Sequence, residues 1–232
     1  MRWATVMLAL VVLLVAAPTW ADFRAEVEAY DRGDYATTMK EWRPLAELGN
    51  APAQVALGWM YTEGKGVPPD DKEAAPWYQL AANWGSASAQ FVLGVMYAEG
   101  RGVPQDGTLA VRWVRRAAEQ GLAEAQYNLG VRYAAGHVLP QDNNKAVRWY
   151  RRAAAQGDAE AQHNLGLMYA KGRGVLQDDV QAHMWVNLAA ARGNEHARKA
   201  RDLLAGKMTL AQIAEAQRLA REWQPQVMLA RP

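Results

Sequence analysis

The chain of 232 residues contains no cysteine, which excludes a disulfide framework and every thiolate-based site. Serine occurs only as Ser86 and Ser88. Both fall at a predicted helix start, where capping accounts for them, and no GxSxG or SxxK string is present to carry a serine nucleophile. The 4 histidines, His137, His163, His183 and His196, show no metal-ligand spacing and no HExxH pattern. GKG and GRG echo phosphate-binding loops, but no GK[ST] follows and no strand precedes, so they read as helix caps. Charge of one sign is also missing. With 26 basic and 24 acidic residues the formal net charge is +2, too near neutral to argue for nucleic acid. No catalytic residue, metal site or cofactor is expected. Half of the residues are hydrophobic and 22% are charged, the balance of a folded domain rather than a disordered chain.

What is present is a period. AQFVLGVMYAEGRGVPQDGTLAVRWVRRAAEQG, Ala89 to Gly121, returns 36 residues later as AQYNLGVRYAAGHVLPQDNNKAVRWYRRAAAQG, Ala125 to Gly157. It returns again from Ala161 to Gly193, and an earlier copy runs from Ala53 to Gly85. Four copies without insertion or deletion read as a solenoid, in which each unit buries its apolar face against its neighbours.

Each unit predicts two antiparallel helices. In the first, Ala89, Leu93, Met96 and Tyr97 share one face at i, i+4, i+7 and i+8. Gly94 lies inside this helix, where it costs roughly 1 kcal/mol against alanine, and its recurrence as Gly58, Gly130 and Gly166 predicts close approach of a neighbouring helix. Gly100-x-Gly102 predicts a left-handed helix stop. Asp70, Asp106, Asp142 and Asp178 then sit where they can cap the second helix. Along it Ala110, Trp113, Ala117 and Ala118 recur at helical spacing, so Trp77, Trp113, Trp149 and Trp185 are expected in the core.

The pattern AQ-x-x-LG-x-MY-x-x-G-x-GV-x-x-D followed by A-x-x-WY-x-x-AA-x-x-G resembles the Sel1-like repeat, a relative of the tetratricopeptide repeat. The resemblance spans Asn50 to Gly193, in units 50–85, 86–121, 122–157 and 158–193. It implies an all-α, right-handed α/α solenoid acting as an adaptor or scaffold for protein–protein contacts, often in exported or envelope proteins of bacteria. Cysteine-rich members have been linked to β-lactam binding or hydrolysis, but a chain without cysteine departs from that subgroup. The third unit departs locally, with Arg132 where the others have Met60, Met96 and Met168, and with Val138 where the others keep a second glycine.

Flanking segments have their own signals. Arg2, the apolar run Val6 to Ala17 and the small-residue site Thr19-Trp20-Ala21 read as a cleaved secretory signal over residues 1–21. The run is short of the roughly 20 residues a span needs. The expected location is therefore periplasmic or secreted, with no membrane span after cleavage and no nucleic-acid partner. Residues 22–49 read as a degenerate opening pair of helices, residues 194–225 as capping helices, and residues 226–232 as a tail. Within 194–225, Thr209 and Gln212 form a predicted capping box.

Three surfaces are candidates for a partner. In related solenoids the first helices line the concave side, and the positions that vary there are Val55, Trp59, Phe91, Tyr127, Asn128, Arg132, His163, Asn164 and Lys171. A protein or peptide partner is expected at such a groove. Trp84 stands where other copies have Gln120, Gln156 and Arg192, so it is a candidate contact residue. Arg112, Arg115 and Arg116 recur as Arg148, Arg151 and Arg152, a stripe relieved on one side by the expected pair Arg115–Glu119. That stripe would suit peptidoglycan, an anionic glycan or another anionic envelope surface. An envelope hydrolase acting on peptidoglycan or a β-lactam is the remaining alternative, and the missing nucleophile and metal set count against it.

Overall fold

In the computed structural model, which describes residues 32–226, eleven helices follow one another with no strand among the described residues. The proposed leader (1–21), the first part of the opening pair (Phe23 to Tyr30) and most of the tail lie outside the described residues. The helices are α1 (Tyr35–Glu47), α2 (Ala51–Glu63), α3 (Asp71–Asn83), α4 (Ala87–Glu99), α5 (Gly107–Glu119) and α6 (Ala123–Ala135). They continue as α7 (Asn143–Ala155), α8 (Ala159–Lys171), α9 (Asp179–Ala191), α10 (Glu195–Ala205) and α11 (Leu210–Glu222). Each of α1 to α9 packs on the next in the chain, and α11 folds back onto α9. This zigzag of consecutive helices is an all-α solenoid.

Local chemistry sets the helix ends. Asp70, Asp106, Asp142 and Asp178 each accept hydrogen bonds from backbone N–H groups of the following first turn, which satisfies donors that the helix leaves open. Asn50, Ser86, Asp158 and Asn194 do the same for α2, α4, α8 and α10, whereas Leu122 leaves α6 without a side-chain cap. The first helices stop at Gly64, Gly100, Gly136 and Gly172, all left-handed. Thr209 and Gln212 form the reciprocal capping box at α11.

The core is a line of small and medium side chains. Leu57, Leu93, Leu129 and Leu165 are fully buried, as are Ala53, Ala89, Ala125 and Ala161. Helix-interior glycines let the two helices of a unit approach. A Cβ on Gly94 would lie 2.7 Å from a methyl of Val114, and one on Gly166 would lie 2.6 Å from a methyl of Val186.

Here the tryptophan expectation is corrected. The central slot belongs to the next residue along the second helix: Tyr78, Val114, Tyr150 and Val186, exposed by no more than 3%. Those are the side chains that meet the helix-interior glycines. Trp77, Trp149 and Trp185 are only half-buried, and Trp113 alone of the four is buried. One residue is a rotation of about 100° on a helix, so a one-place offset puts the indoles on the shoulder of the core. There Arg116 lies over the Trp113 ring at 4.8 Å and Arg152 over Trp149 at 4.6 Å.

At the C-terminal end, Ala216 and Ala220 of α11 bury against Met184 and Leu188 of α9. Trp223 meets Trp185 edge-on at 6.3 Å and carries the Arg192 guanidinium over its face at 4.9 Å.

Candidate partner-binding surface

The variable residues of the first helices form rows, because a fixed period puts equal positions side by side. Val55, Phe91, Tyr127 and His163 make one row and are all half-buried. Beside them run Asn128 and Asn164, also half-buried, and Trp59, which packs against the first core cluster with Val55. Phe91 and Tyr127 pack against the second cluster. The face is thus apolar over α2 and α4 and polar over α6 and α8.

The polar half is cross-linked. Tyr127 and Tyr150 lie with ring centroids 6.1 Å apart, and the Asn164 side chain lies close enough to both to act on their phenols. Burial first, then the charges of Glu160 and Asp158, raise the Tyr127 pKa, with the Asn164 hydrogen bond opposing. Burial and the neighbouring Tyr127 likewise raise Tyr150. Both phenols are therefore neutral donors at ordinary pH. Asp158 is raised too, by burial ahead of repulsion from Glu160 and Glu124, while the Ala161 N–H it caps pulls it down.

Arg132 fills the slot that is methionine in the other repeats. It is half-buried, burial lowers its pKa, and its Nε donates to Asn128 Oδ1 at 2.8 Å. Among the described residues this is the hydrogen bond that holds the guanidinium. His163 stacks loosely on His196 at 6.4 Å, and its buried Nδ1 has no hydrogen-bond partner. Burial lowers its pKa, with Glu160 pulling the other way. Tyr127, Asn128, Arg132, His163 and Asn164 are thus brought onto one patch. Lys171, the last residue of α8, is exposed. Among the described residues no group of three or more His, Asp or Glu could hold a metal ion.

Trp84 is not on that patch. It caps the C-terminus of α3 and is 72% exposed. Its position falls in a ladder that sequence reasoning missed. Gln54, Gln90, Gln126 and Gln162, the glutamines of the AQ signature, are buried, and each donates its Nε2 to a carbonyl near the end of the preceding second helix, at 2.9–3.1 Å. Gln120 and Gln156 then donate to Gln90 and Gln126. Where that donor is Trp84 or Arg192 instead, the Oε1 atoms of Gln54 and Gln162 have no partner. A polar residue repeated inside an apolar face was the signal that could have revealed this.

The arginine stripe is real but differently wired. Among the described residues no ion pair joins Arg115 to Glu119; Arg115 instead donates to the Tyr133 hydroxyl at 3.2 Å. Arg151 repeats the contact with Tyr169 at 2.8 Å, and Arg43 with Tyr61. Each bond ties the second helix of one unit to the first helix of the next. An arginine and a tyrosine 18 residues apart, recurring with the period, carried this information unread.

Fold and surface together define a tetratricopeptide-like helical-repeat solenoid. The Sel1 repeat model matches residues 51–86, 87–122, 123–158 and 159–194, and the chain belongs to the Sel1 repeat family. It is similar to the crystal structure of a Sel1 repeat protein from Oxalobacter formigenes, at 32% identity and TM-score 0.73, over 86% of this chain and 83% of that one. A putative Sel1 repeat protein from Klebsiella pneumoniae matches at 22% identity and TM-score 0.49, over 80% of this chain and 92% of that one. The c5321 protein of Escherichia coli, a protective antigen of uropathogenic strains with this fold, matches at 23% and 0.43, over 88% of this chain and 60% of that one. No curated protein matches. Sel1 repeats generally mediate protein–protein interaction, and their proteins are typically non-catalytic scaffolds.

Proposed function

We propose that the protein is an exported scaffold of the bacterial cell envelope that binds a protein or peptide partner on its first-helix face and catalyses nothing. The observation that carries this reading is the half-buried row from Phe91 to His163, apolar at one end and rich in fixed hydrogen-bonding groups at the other. Apolar area supplies affinity, and preoriented polar groups such as Arg132 and Asn164 supply register along an extended or helical ligand. Export is supported by the basic start, apolar run and small-residue site of residues 1–21. Among the described residues no helix is long and apolar enough to cross a membrane.

Affinity capture from envelope extract tests the binding site, using the natural chain beside an Arg132→Met, His163→Ala variant. Arg132→Met restores the residue that three other repeats carry, so the variant is expected to keep its melting temperature. A protein retained by the natural chain and lost from the variant supports the reading. Equal retention by both removes the first-helix face as the site. Amino-terminal sequencing of the protein from fractionated cells checks export: a periplasmic chain starting at Asp22 is expected, and a cytoplasmic one starting at Met1 refutes it.

A further inference from the structure

The second-helix face concentrates positive charge. Arg112, Arg115 and Arg116 on α5 and Arg148, Arg151 and Arg152 on α7 are exposed or half-buried. None of the six joins an ion pair among the described residues, although Arg218 elsewhere is held by both Glu215 and Glu222. Four of them are instead oriented by aromatic rings: Arg116 and Arg152 over tryptophans, Arg115 and Arg151 on tyrosine hydroxyls. Stacking and hydrogen bonding of this kind hold a guanidinium plane steady, which favours bidentate recognition of carboxylates. Among the described residues Arg112 and Arg148 have no such anchor.

Beside this stripe lies a cavity of about 400 Å³, with Arg112, Arg115 and Arg116 on its rim and Val111, Val138 and Leu139 among its walls. Val138 is the unusual part. It is a β-branched residue at φ 64° and 58% exposed, a conformation that costs of order 1–3 kcal/mol. The matching residues of the other repeats are Gly66, Gly102 and Gly174, whose missing side chains leave nothing to form such a wall. Room for the valine comes from Gly107, since a Cβ there would lie 2.8 Å from Val138 Cγ2. A strained apolar wall thus stands against a basic rim.

We infer that this face is a docking site for an acidic segment of a partner protein, with one apolar side chain of that segment seated in the cavity. It is separate from the first-helix patch, and its variants sit on different helices. The apolar walls and Glu119, which also lines the cavity, disfavour a uniformly anionic polymer there. Gln156 Nε2 donates to the Gly121 carbonyl at 2.8 Å, which ties the turn after α7 to the turn after α5.

Fluorescence anisotropy with the full chain tests this. The probes are a short peptide rich in aspartate and glutamate with one central leucine, the same peptide with serine for leucine, and an anionic glycan of matched charge. The leucine peptide is expected to bind most tightly, and its affinity to fall with ionic strength. Arg112→Gln with Arg148→Gln is expected to weaken it about tenfold, and the melting temperature to hold, since both side chains are exposed. Val138→Gly is expected to keep the salt dependence and abolish the preference for leucine over serine. Binding unaffected by the arginine changes, no binding at all, or a glycan bound as tightly as the leucine peptide overturns the inference.

Discussion

Replacing Gly107 with alanine probes how the third repeat accommodates its departure from the pattern. Gly107 opens α5 directly after the Asp106 cap, and its φ is not in the left-handed region. Alanine there should gain up to about 1 kcal/mol from helix propensity. Against this, the new Cβ would lie 2.8 Å from Val138 Cγ2 and 3.5 Å from Cγ1. Valine has a single side-chain rotor, and its backbone is already held left-handed, so the overlap can be relieved only by shifting the turn. Overpacking of this kind costs about 1–3 kcal/mol. The single substitution should therefore be destabilising by about 0–2 kcal/mol. Val138→Gly should fall within about 1 kcal/mol of neutral: relief of left-handed strain gives about 1–2 kcal/mol, and loss of a mostly exposed side chain takes back about half of a full burial. In that background Gly107→Ala should become stabilising. Urea unfolding of the four proteins should give an interaction energy of about 1–3 kcal/mol, with melting shifts of about 2–4 °C per kcal/mol as a check. If the two substitutions add to within about 0.5 kcal/mol, the reciprocal fit of Val138 and Gly107 does not exist.

Two further outcomes follow from the buried polar groups. Gln120→Leu leaves the buried Gln90 without its donor to Oε1 and should cost about 1–2 kcal/mol in a melting experiment, while the same change at Gln105, whose bond to the Ala98 carbonyl is exposed, should cost well under half as much. Burial, and secondarily Arg201, hold the His183 pKa below its ordinary 6.5, with Asp202 opposing. The unfolded chain takes up that proton below about 6.5 while the folded chain resists it, so stability is complete above this pH and falls as pH drops through it. Melting temperatures between pH 7.5 and 5.5 should show the fall, and His183→Leu should reduce it; an unchanged slope would remove burial of His183 as its source.

Helix existence, helix ends and turns were legible because their causes are local. An aspartate caps the turn that follows it, and a glycine adopts the left-handed stop where it stands, as at Gly100 and Gly172. The helix-interior glycines were legible one step further, since a costly residue kept with the period announces a neighbour. The indoles were misplaced because Trp113 and Val114 are adjacent in sequence yet about 100° apart around the helix, and only the position of the facing glycine tells which one points inward. Of the candidate patch, the variable positions could be read from the repeats. That Arg132 is held by Asn128, and that Tyr127 meets Tyr150, could not.

By itself the sequence determined the repeat unit, the number of complete copies and the family, because a 36-residue period and its caps are properties of the chain taken a few residues at a time. The tertiary structure decided what each repeated residue does. It turned the signature glutamines into inter-unit hydrogen bonds and the arginines toward tyrosines 18 residues away rather than toward a glutamate one turn away. It also paired Val138 with Gly107 across 31 positions of chain. The reason is geometric: a hydrogen bond or a van der Waals contact acts over a few ångströms, and only packing one unit on the next brings such residues within that range.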